Sequence, residues 1–506
     1  MMLRDPKVLV IGAGMGGLAS AIDLARQGID VTVLERGSQP GGKVRQAVVD
    51  GSAMDCGPTV FTMRWIFESL FSDAGASLDD WLTLIPADIL ARHAWVGGAR
   101  LDLFADVEKS AAEIEAFSGA RNADGYLTFC RQSAAIYETL RDPFILQQRP
   151  SQLDVVRRVG LLGMPAFLAQ IKATRTLWQL LFKTFDDPRL VQLFARYATY
   201  VGSSPFATPA TISLVAHVEQ EGVWTVDGGM FALAQAMERL GKSLGVDYVY
   251  DRSAKRINAE NGRACGVTCD DGEVIDADAI VFNGDISAVA TGVTGDEARG
   301  AVKPTLPANR SLSAVTWCLN TEPSGFPLAF HNVFFADDYR REFEAVFHDG
   351  TICETPTVYL CAQDRGAGDV SKGPERIFLL INAPANGGTG QFDAGFVAER
   401  EEQVAGVLAQ CGLKLQFGSS KVVTTPDEFH RRYPATGGAL YGQTCHGMFA
   451  TLARSGAATK LPGLYLTGGS VHPGPGVPMA TMSGRLAASA LISDLPVSLR
   501  FPKVAV

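Results

Sequence analysis

The segment that most constrains the fold lies at the start of the chain, where Lys7 to Ile11 (KVLVI) runs directly into the glycine-rich stretch GAGMGG. A short apolar run of this kind suits a buried parallel strand. The stretch LASAIDLARQG then predicts a helix ending at Gly28, and DVTVLE predicts a second strand ending at Glu35. A strand, a glycine turn, a helix, a second strand and an acid, in this order, predict a dinucleotide-binding α/β unit.

Each residue of this pattern has a physical role in holding a dinucleotide. Gly12 permits the tight turn, Gly14 lets the backbone approach a pyrophosphate, and Gly17 lets the helix pack closely on the strand. The N-terminus of the helix attracts the phosphates. Glu35 can accept hydrogen bonds from both hydroxyls of a ribose. The alternative is a turn of similar sequence that binds no phosphate.

The residues that follow Glu35 decide between a nicotinamide and a flavin cofactor. The stretch ERGSQPGGKVRQ carries Arg36, then a second glycine pair ending at Gly42, and then Lys43. A nicotinamide cofactor does not require this second glycine pair. The sequence therefore favours FAD.

These segments resemble the flavin amine oxidase and phytoene desaturase superfamily, in which FAD lies extended along the chain. ERGSQPGGK is similar to that family's E-R-x4-G-G-R/K continuation, and MDCGPTVFT, with Gly57, Pro58 and Thr59, is similar to its next segment. GVWTVDGGMF resembles the family's central return to the FAD domain, which implies that the backbone near Ala254 faces the adenine. The resemblance covers Val8 to Thr59, Gly222 to Asp285, and Tyr441 to the last helix.

The C-terminal stretch LPGLYLTGGSVHPGPGVPMATMSGRLAASAL resembles the signature of bacterial carotenoid desaturases. Its spelling is closer to the 1-hydroxycarotenoid 3,4-desaturases, also called methoxyneurosporene dehydrogenases, than to the phytoene desaturases. A buried strand is predicted before the turn, and a helix from Met479, whose N-terminus would stabilise negative charge on a reduced flavin ring. The residues assigned to the cofactor here are Gly468, Gly469, Val477, Pro478 and Met479. Flavin amine oxidases usually carry an acid for the ribityl chain where the two glycines stand, so the ribityl contact is left unassigned.

Between the cofactor segments the sequence predicts an inserted substrate domain. Residues from about 107 to 200 are patterned as helices, and four strand-like runs between 301 and 420 predict an antiparallel sheet. The predicted fold class is α/β, with a Rossmann-like FAD/NAD(P)-binding domain and an inserted antiparallel-sheet plus helical substrate domain. The predicted FAD domain comprises 1–90, 222–300 and 425–500, and the substrate domain 91–221 and 301–424.

The number and distribution of charged residues indicate which partners the chain can bind. The chain carries 45 basic and 54 acidic residues, a net charge of −9, which argues against a general attraction to nucleic acid. No uninterrupted apolar run is long enough to span a bilayer. Residues 155–185 nevertheless contain five basic residues and no acidic one. They either meet anionic headgroups at a membrane surface or form a buried helix with a solvated basic edge. We expect a cytoplasmic protein peripherally associated with the bacterial inner (photosynthetic) membrane, with 107–200 facing it.

The resemblance implies an FAD-dependent oxidoreductase acting on CH–CH groups. Its expected reaction is the 3,4-desaturation of 1-hydroxy- or 1-methoxycarotenoids such as 1-hydroxyneurosporene, with O2 or a quinone as the final electron acceptor. The substrate has no acidic hydrogen, so we expect no catalytic triad, and His472 in the glycine loop is interpreted as a partner of the backbone. No cysteine and histidine spacing predicts a metal. The alternatives are a phytoene desaturase, a flavin-dependent carotenoid isomerase, a flavin-free isoprenoid escort protein and a flavin amine oxidase.

Overall fold

The computed structural model describes residues 6–150, 157, 160, 163–365, 373–448, 450 and 453–495. Arg158, most of the segment 151–162 and both ends of the predicted FAD domain lie outside the described residues. In chain order the strands are β1 (Lys7–Ile11), β2 (Asp30–Leu34), β3 (Gln46–Val49), β4 (Ser52–Asp55), β5 (Leu84–Pro86), β6 (Ile89–Trp95), β7 (Arg100–Phe104), β8 (Trp224–Val226), β9 (Asp247–Val249), β10 (Ala254–Glu260), β11 (Arg263–Cys269), β12 (Val274–Asp276), β13 (Ala279–Phe282), β14 (Ser313–Thr321), β15 (His331–Phe335), β16 (Val358–Ala362), β17 (Glu375–Ala383), β18 (Lys421–Thr424) and β19 (Leu464–Leu466).

The α-helices follow the same chain order. They are α1 (Met15–Ala25), α2 (Arg64–Asp73), α3 (Val107–Ser118), α4 (Ala120–Leu140), α5 (Met164–Gln170), α6 (Leu177–Thr184), α7 (Pro188–Ala195), α8 (Leu214–Gln220), α9 (Phe231–Ser243), α10 (Ile286–Ala290), α11 (Tyr339–Glu344), α12 (Ala394–Gln410), α13 (Pro426–Arg432) and α14 (Val477–Asp494).

The first of the two main sheets is parallel and has five strands in the order β19-β13-β1-β2-β9. β1 lies in its centre, and Val8, Leu9 and Val10 are fully buried, as the apolar run predicts. Helices α1, α9 and α14 cover one face, while residues of the small sheet β10-β11-β12 pack on the other. This is the predicted dinucleotide-binding arrangement, assembled from three distant parts of the chain.

The second main sheet has seven strands in the order β18-β14-β17-β16-β15-β6-β7. The four strand-like runs predicted between 301 and 420 form β14, β15, β16 and β17. The prediction of an antiparallel sheet is incomplete, because β15 pairs with β6 in parallel. The cause is that β6 enters this sheet from the N-terminal part of the chain, so no hairpin fixes its direction relative to β15. The division into two domains stays a prediction.

The two faces of the seven-stranded sheet are covered differently. Helix α12 packs on one face through Val404, Val407 and Leu408. The other face meets a helical layer that includes α4, α6 and α7, at the level of Val333 and Phe335 of β15. The helices predicted between 107 and 200 therefore form the wall opposite the sheet.

Candidate cofactor and substrate site

The first glycine turn leaves no room for side chains. Gly12 has φ +98°, and a Cβ atom there would lie 2.8 Å from the carbonyl oxygen of Asn283. A Cβ at Gly14 would lie 2.7 Å from Nδ2 of the same asparagine, and a Cβ at Gly17 would lie 2.0 Å from the carbonyl oxygen of Gly12. Gly12, Gly14 and Gly17 are therefore required where β1, α1 and the end of β13 meet.

Asn283 organises this junction, and the sequence analysis assigned it no role. It directly follows β13, its amide donates to the carbonyl of Ile11 (2.8 Å), and its Nδ2 donates to the carbonyl of Gly12 (3.1 Å). Its Oδ1 would lie 3.0 Å from a Cβ at Gly468. The signal that could have found it is a polar side chain at the carboxyl end of a buried strand next to β1.

Glu35 also shapes the backbone around the first turn. Its Oε2 accepts from the amide of Ala13 (2.8 Å) and its Oε1 from the amide of Gly37 (2.8 Å). The adjacent Arg36 is exposed. The carbonyl of Glu35 accepts from the amide of Arg252 (2.9 Å), two residues before the predicted adenine neighbour Ala254. The end of β2 and the start of β10 thus lie side by side.

The second glycine pair packs onto the first turn. Gly41 donates its amide to the carbonyl of Ala13 (2.8 Å), and a Cβ at Gly42 would lie 3.2 Å from the Cα of Gly14. A Cβ at Gly57 would lie 1.9 Å from the carbonyl oxygen of Lys43. The segments of the three predicted motifs therefore pack against one another.

Lys43 connects this stack to the C-terminal part of the chain. Its Nζ donates to the carbonyl of Leu440 and lies 5.1 Å from the centre of the Tyr433 ring. Burial lowers the pKa of Lys43 below its ordinary value of 10.5, with the charge of Asp285 acting in the opposite direction. The Lys43 side chain is thereby held, shielded from solvent, beside the two glycine turns.

The closing loop lies at the carboxyl end of β19, beside the ends of β13 and β1. Gly468 has φ +111° and donates its amide to Oγ of Ser483 (3.2 Å). Helix α14 begins at Val477, two residues earlier than predicted, because Pro478 is accommodated in the first turn. Gly476 precedes it and has no side chain that could cap the helix, so the first-turn amides of Val477 and Met479 have no side-chain cap among the described residues.

The space between the two loops fits FAD. Ligands of such sheets bind at the carboxyl ends of the parallel strands, where both loops lie. Helices α1 and α14 cross so closely that a Cβ at Gly484 would lie 2.1 Å from the carbonyl oxygen of Gly16. Oγ1 of Thr467, which directly follows β19, is buried without a hydrogen-bond partner among the described residues. The cradle thus combines bare backbone, a helix N-terminus and an unsatisfied hydroxyl group.

His472 and Arg454 hold the closing loop in place. Nε2 of His472 lies 3.0 Å from the carbonyl of Gln147, and burial lowers the pKa of this histidine to about 4. His472 therefore contacts the backbone as interpreted, and it is neutral. The buried Arg454 was not singled out from the sequence, and it donates to the carbonyls of Tyr441 (3.0 Å) and Gly469 (3.1 Å).

Asp55 anchors the central return of the chain. Its carboxylate accepts from the amides of Met230 (2.5 Å) and Phe231 (3.3 Å) at the start of α9. A Cβ at Gly229, which has φ +86°, would lie 2.4 Å from this carboxylate. The turn at Gly228 and Gly229, both with positive φ, therefore leads directly into α9.

The substrate side of the site is the inner face of the seven-stranded sheet. Side chains opposite each other in neighbouring strands share a face. One row crosses all seven strands and consists of Thr424, Thr316, Leu380, Tyr359, Val333, His93 and Leu101. Leu380 and Tyr359 are only half-buried although they stand in central strands. Accessible surface in the middle of a covered sheet indicates an internal cavity between the sheet and the helices.

The architecture is that of a flavoprotein. Residues 15–492 match the family described as flavin containing amine oxidoreductase, so the chain belongs to this family. An oxidoreductase from Methanosarcina mazei has the same fold, with a TM-score of 0.60, 16% identity, and coverage of 96% of this chain and 100% of that one.

Within the family, its relatives include carotenoid desaturases. The chain is 48% identical to the hydroxyneurosporene desaturase of Rubrivivax gelatinosus, over 100% of this chain and 96% of the relative. It is 30% identical to a 1-hydroxycarotenoid 3,4-desaturase of a Flavobacterium species, over 95% of this chain and 98% of the relative. The resemblance to the carotenoid desaturase family, the fold class and FAD as cofactor are thereby confirmed.

Proposed function

We propose that this protein is an FAD-dependent carotenoid desaturase that introduces the 3,4 double bond into 1-hydroxy- or 1-methoxycarotenoids such as 1-hydroxyneurosporene. The observation that carries the proposal is the 48% identity to a hydroxyneurosporene desaturase over the full length of this chain. The glycine loops of the chain also form a cradle suited to FAD. Half-buried Leu380 and Tyr359 on the inner face of the seven-stranded sheet support a substrate position beside this cradle.

The residues proposed to hold FAD come from five segments of the chain. They are Gly12, Gly14, Gly17, Glu35, Arg36, Gly42, Lys43, Gly57, Pro58, Thr59, Ala254, Gly468, Gly469, Val477, Pro478 and Met479. FAD, when bound, supplies a two-electron acceptor for hydride. The N-terminus of α14 favours negative charge in the cradle, and the Lys43 amine lies beside it as a hydrogen-bond donor.

Apolar side chains around the site are proposed to position the substrate. The substrate carries no acidic hydrogen, so the chain must hold the carbon–carbon bond in line with the acceptor and exclude water. Half-buried Leu380 of β17 and Tyr359 of β16 form the floor of the cavity. A cation formed on the substrate is stabilised by its own conjugated double bonds, so no strong base is required for the first step.

The substrate dissolves in lipid, and we place the protein at the cytoplasmic surface of the inner membrane. Among the described residues, no helix is both long and apolar enough to cross a bilayer. A cleft of about 670 Å³ between α4 and the segment 169–184 is lined by four basic residues and one acidic residue: Arg121, Lys172, Arg175, Lys183 and Asp124. Phe182, next to Lys183, is 70% exposed. Basic residues beside an exposed aromatic ring suit anionic headgroups better than a solvated helix edge.

The activity is tested by anaerobic incubation of the FAD-loaded enzyme with 1-hydroxyneurosporene, phytoene and simple amines, while flavin absorbance and product spectra are recorded together. We expect flavin bleaching and a product absorbing at longer wavelength with 1-hydroxyneurosporene. Turnover of phytoene alone would identify a phytoene desaturase, isomerisation without net oxidation a carotenoid isomerase, and turnover of amines an amine oxidase. Failure to bind FAD would instead indicate a flavin-free isoprenoid escort protein. Reoxidation with O2 or a quinone then identifies the electron acceptor.

The membrane contact is tested by reversing the charge of three cleft residues. The variant carries Lys172→Glu, Arg175→Glu and Lys183→Glu. A control variant with the same charge change carries three exposed substitutions elsewhere, Lys255→Glu, Lys303→Glu and Lys414→Glu. We expect only the cleft variant to lose co-sedimentation with anionic liposomes, with FAD content intact in both. Equal binding of the two variants would remove the membrane contact from the proposal.

A further inference from the structure

A cluster of charged and phenolic groups lies inside the substrate part of the protein. Nη2 of Arg196 donates to the hydroxyl of Tyr200 (3.2 Å), whose hydroxyl donates to Oε1 of Glu219 (2.5 Å). The hydroxyl of Tyr197 donates to the other oxygen, Oε2, of Glu219 (2.7 Å). Burying charge is costly unless it is paired and hydrogen-bonded. A region that only had to surround a hydrocarbon chain would not need such a cluster.

The cluster adjoins the inner face of the seven-stranded sheet and, through it, the cofactor segments. The charge of Arg196 acts on His331 and Tyr359. The Tyr359 hydroxyl lies 2.7 Å from Nδ1 of His331 and 2.6 Å from Oγ1 of Thr59. Thr59 is two residues from Gly57, which packs on the carbonyl of Lys43. Polar groups therefore extend from Arg196 to the edge of the predicted FAD cradle.

Two atoms of this region lack partners. Nε of Arg196 and Nε2 of His331 are buried without a hydrogen bond to any described residue. Such groups are rare because each costs the desolvation that its hydrogen bond would offset. Burial, with the charge of Arg196 as the second cause, lowers the pKa of His331 to about 3, so its ring is neutral and Arg196 is the cation facing it.

The same groups border internal space. Burial raises the pKa of both Tyr200 and Tyr359 above its ordinary value of 10, which places the two rings deep in the fold. Arg196, Tyr200 and Tyr359 are nevertheless only half-buried. A side chain that is deep in the fold and still accessible faces a cavity, and this cavity is the one above Leu380 and Tyr359.

We infer that Arg196, supported by Tyr200 and Glu219, binds the oxygen atom carried by C1 of the substrate. This inference rests on the proposed function. A hydroxyl oxygen and a methoxyl oxygen both accept hydrogen bonds, but a methoxyl group cannot donate one. A group that serves both substrates must therefore be a donor, and a guanidinium group only donates.

The position of the oxygen in the substrate agrees with the position of the cluster. C1 is two bonds from C3, so its oxygen stays beside the bond that is oxidised. The oxygen-binding group must then lie on the cofactor side of the substrate region, and Tyr359 links this region to Thr59, one of the residues proposed to hold FAD. Glu219 keeps the arginine compensated through Tyr200 when no substrate is bound.

The test compares 1-hydroxyneurosporene with the same carotenoid lacking the hydroxyl group. Wild type, Arg196→Leu, Arg196→Lys and Tyr200→Phe are loaded with FAD, and kcat/KM and the Kd of each carotenoid are measured. Loss of a hydrogen bond from a charged group predicts that the preference for the hydroxylated substrate falls about tenfold to a hundredfold in Arg196→Leu. Arg196→Lys restores part of it, and Tyr200→Phe lowers it less than Arg196→Leu does.

The matched control is Arg340→Leu. Arg196 lies 5.1 Å from the centre of the Tyr200 ring, and Arg340 lies 4.1 Å from that of Phe206, but Arg340 is exposed. Its substitution should leave the preference unchanged. The inference is overturned if Arg196→Leu keeps FAD and prefers the hydroxylated carotenoid as strongly as wild type does. If the leucine variant does not fold, the same result for both Arg196→Lys and Tyr200→Phe overturns it. A wild-type enzyme that binds the hydroxylated carotenoid more tightly but oxidises neither refutes the proposed function alone.

Discussion

Replacing Gly17 by alanine tests the role of this glycine in packing separately from its effect on helix formation. Gly17 lies in α1 with ordinary helical backbone, so alanine suits its conformation and gains about 1 kcal/mol of helix propensity. Its Cβ would lie 2.0 Å from the carbonyl oxygen of Gly12, although real Cβ atoms essentially never come closer than 3.0 Å. The helix must therefore move by at least about 1 Å, and forced overpacking costs about 1 to 3 kcal/mol.

This movement displaces the turn on which the pyrophosphate is proposed to lie. We expect FAD affinity to fall by about tenfold or more, which corresponds to about 1.4 kcal/mol or more. The assay is titration of apoprotein with FAD by flavin fluorescence, with the ratio of flavin to protein in the purified enzyme as a second measure. Thermal unfolding of the apoprotein reports the cost of the clash without cofactor.

Gly406→Ala is the matched control for this experiment. Gly406 lies within α12, and a Cβ there would meet nothing within 4 Å. The same substitution should leave FAD binding unchanged and raise stability by about 0.4 to 1 kcal/mol. If Gly17→Ala bound FAD as tightly as Gly406→Ala and unfolded at the wild-type temperature, the assigned role of Gly17 would be refuted.

Three further substitutions test other parts of the site. Asn283→Ala removes the hydrogen bond to Gly12 and should weaken FAD binding about tenfold in the same titration, whereas unchanged affinity would leave Asn283 without a role. Asp55→Ala removes a buried helix cap and should cost about 2 kcal/mol in urea unfolding, more than Asp106→Ala at the exposed cap of α3. Because folding lowers the pKa of His472 from 6.5 to about 4, the unfolded chain binds its proton first, and stability should fall as pH drops through this range. His472→Gln should reduce that fall, and an identical pH dependence of the melting temperature would contradict the reasoning.

The cofactor half of the site could be predicted from sequence because its constraints are local. Gly12, Gly14 and Gly17 are required by backbone contacts within one strand–turn–helix unit, so their spacing carries the signal. The second glycine pair and the closing loop were placed through the family resemblance. Asn283 and Arg454 were missed because their partners are backbone carbonyls brought near by folding, and a single asparagine or arginine has no pattern.

The substrate half of the site was harder to predict from sequence, because its contacts also form only when distant segments fold together. The strands β14 to β17 were predicted from their apolar runs, but the parallel pairing of β6 with β15 joins residues more than two hundred positions apart. The row that contains Tyr359 and Leu380 exists only after seven strands have aligned. Arg196 and Glu219 lie on helical segments whose sequences show no sign that Tyr200 joins their side chains.

The strand order of the parallel sheet has a consequence for how the protein is made. β1 is synthesised long before two other strands of its sheet, because β13 begins at Ala279 and β19, which carries the closing loop, begins at Leu464. At bacterial translation speeds of about 5 to 20 residues per second, β1 waits roughly 25 to 90 seconds for the sheet to be completed. During this time the nascent chain must keep this apolar strand from aggregating, and FAD can be enclosed only after the closing loop that follows Leu466 has been synthesised.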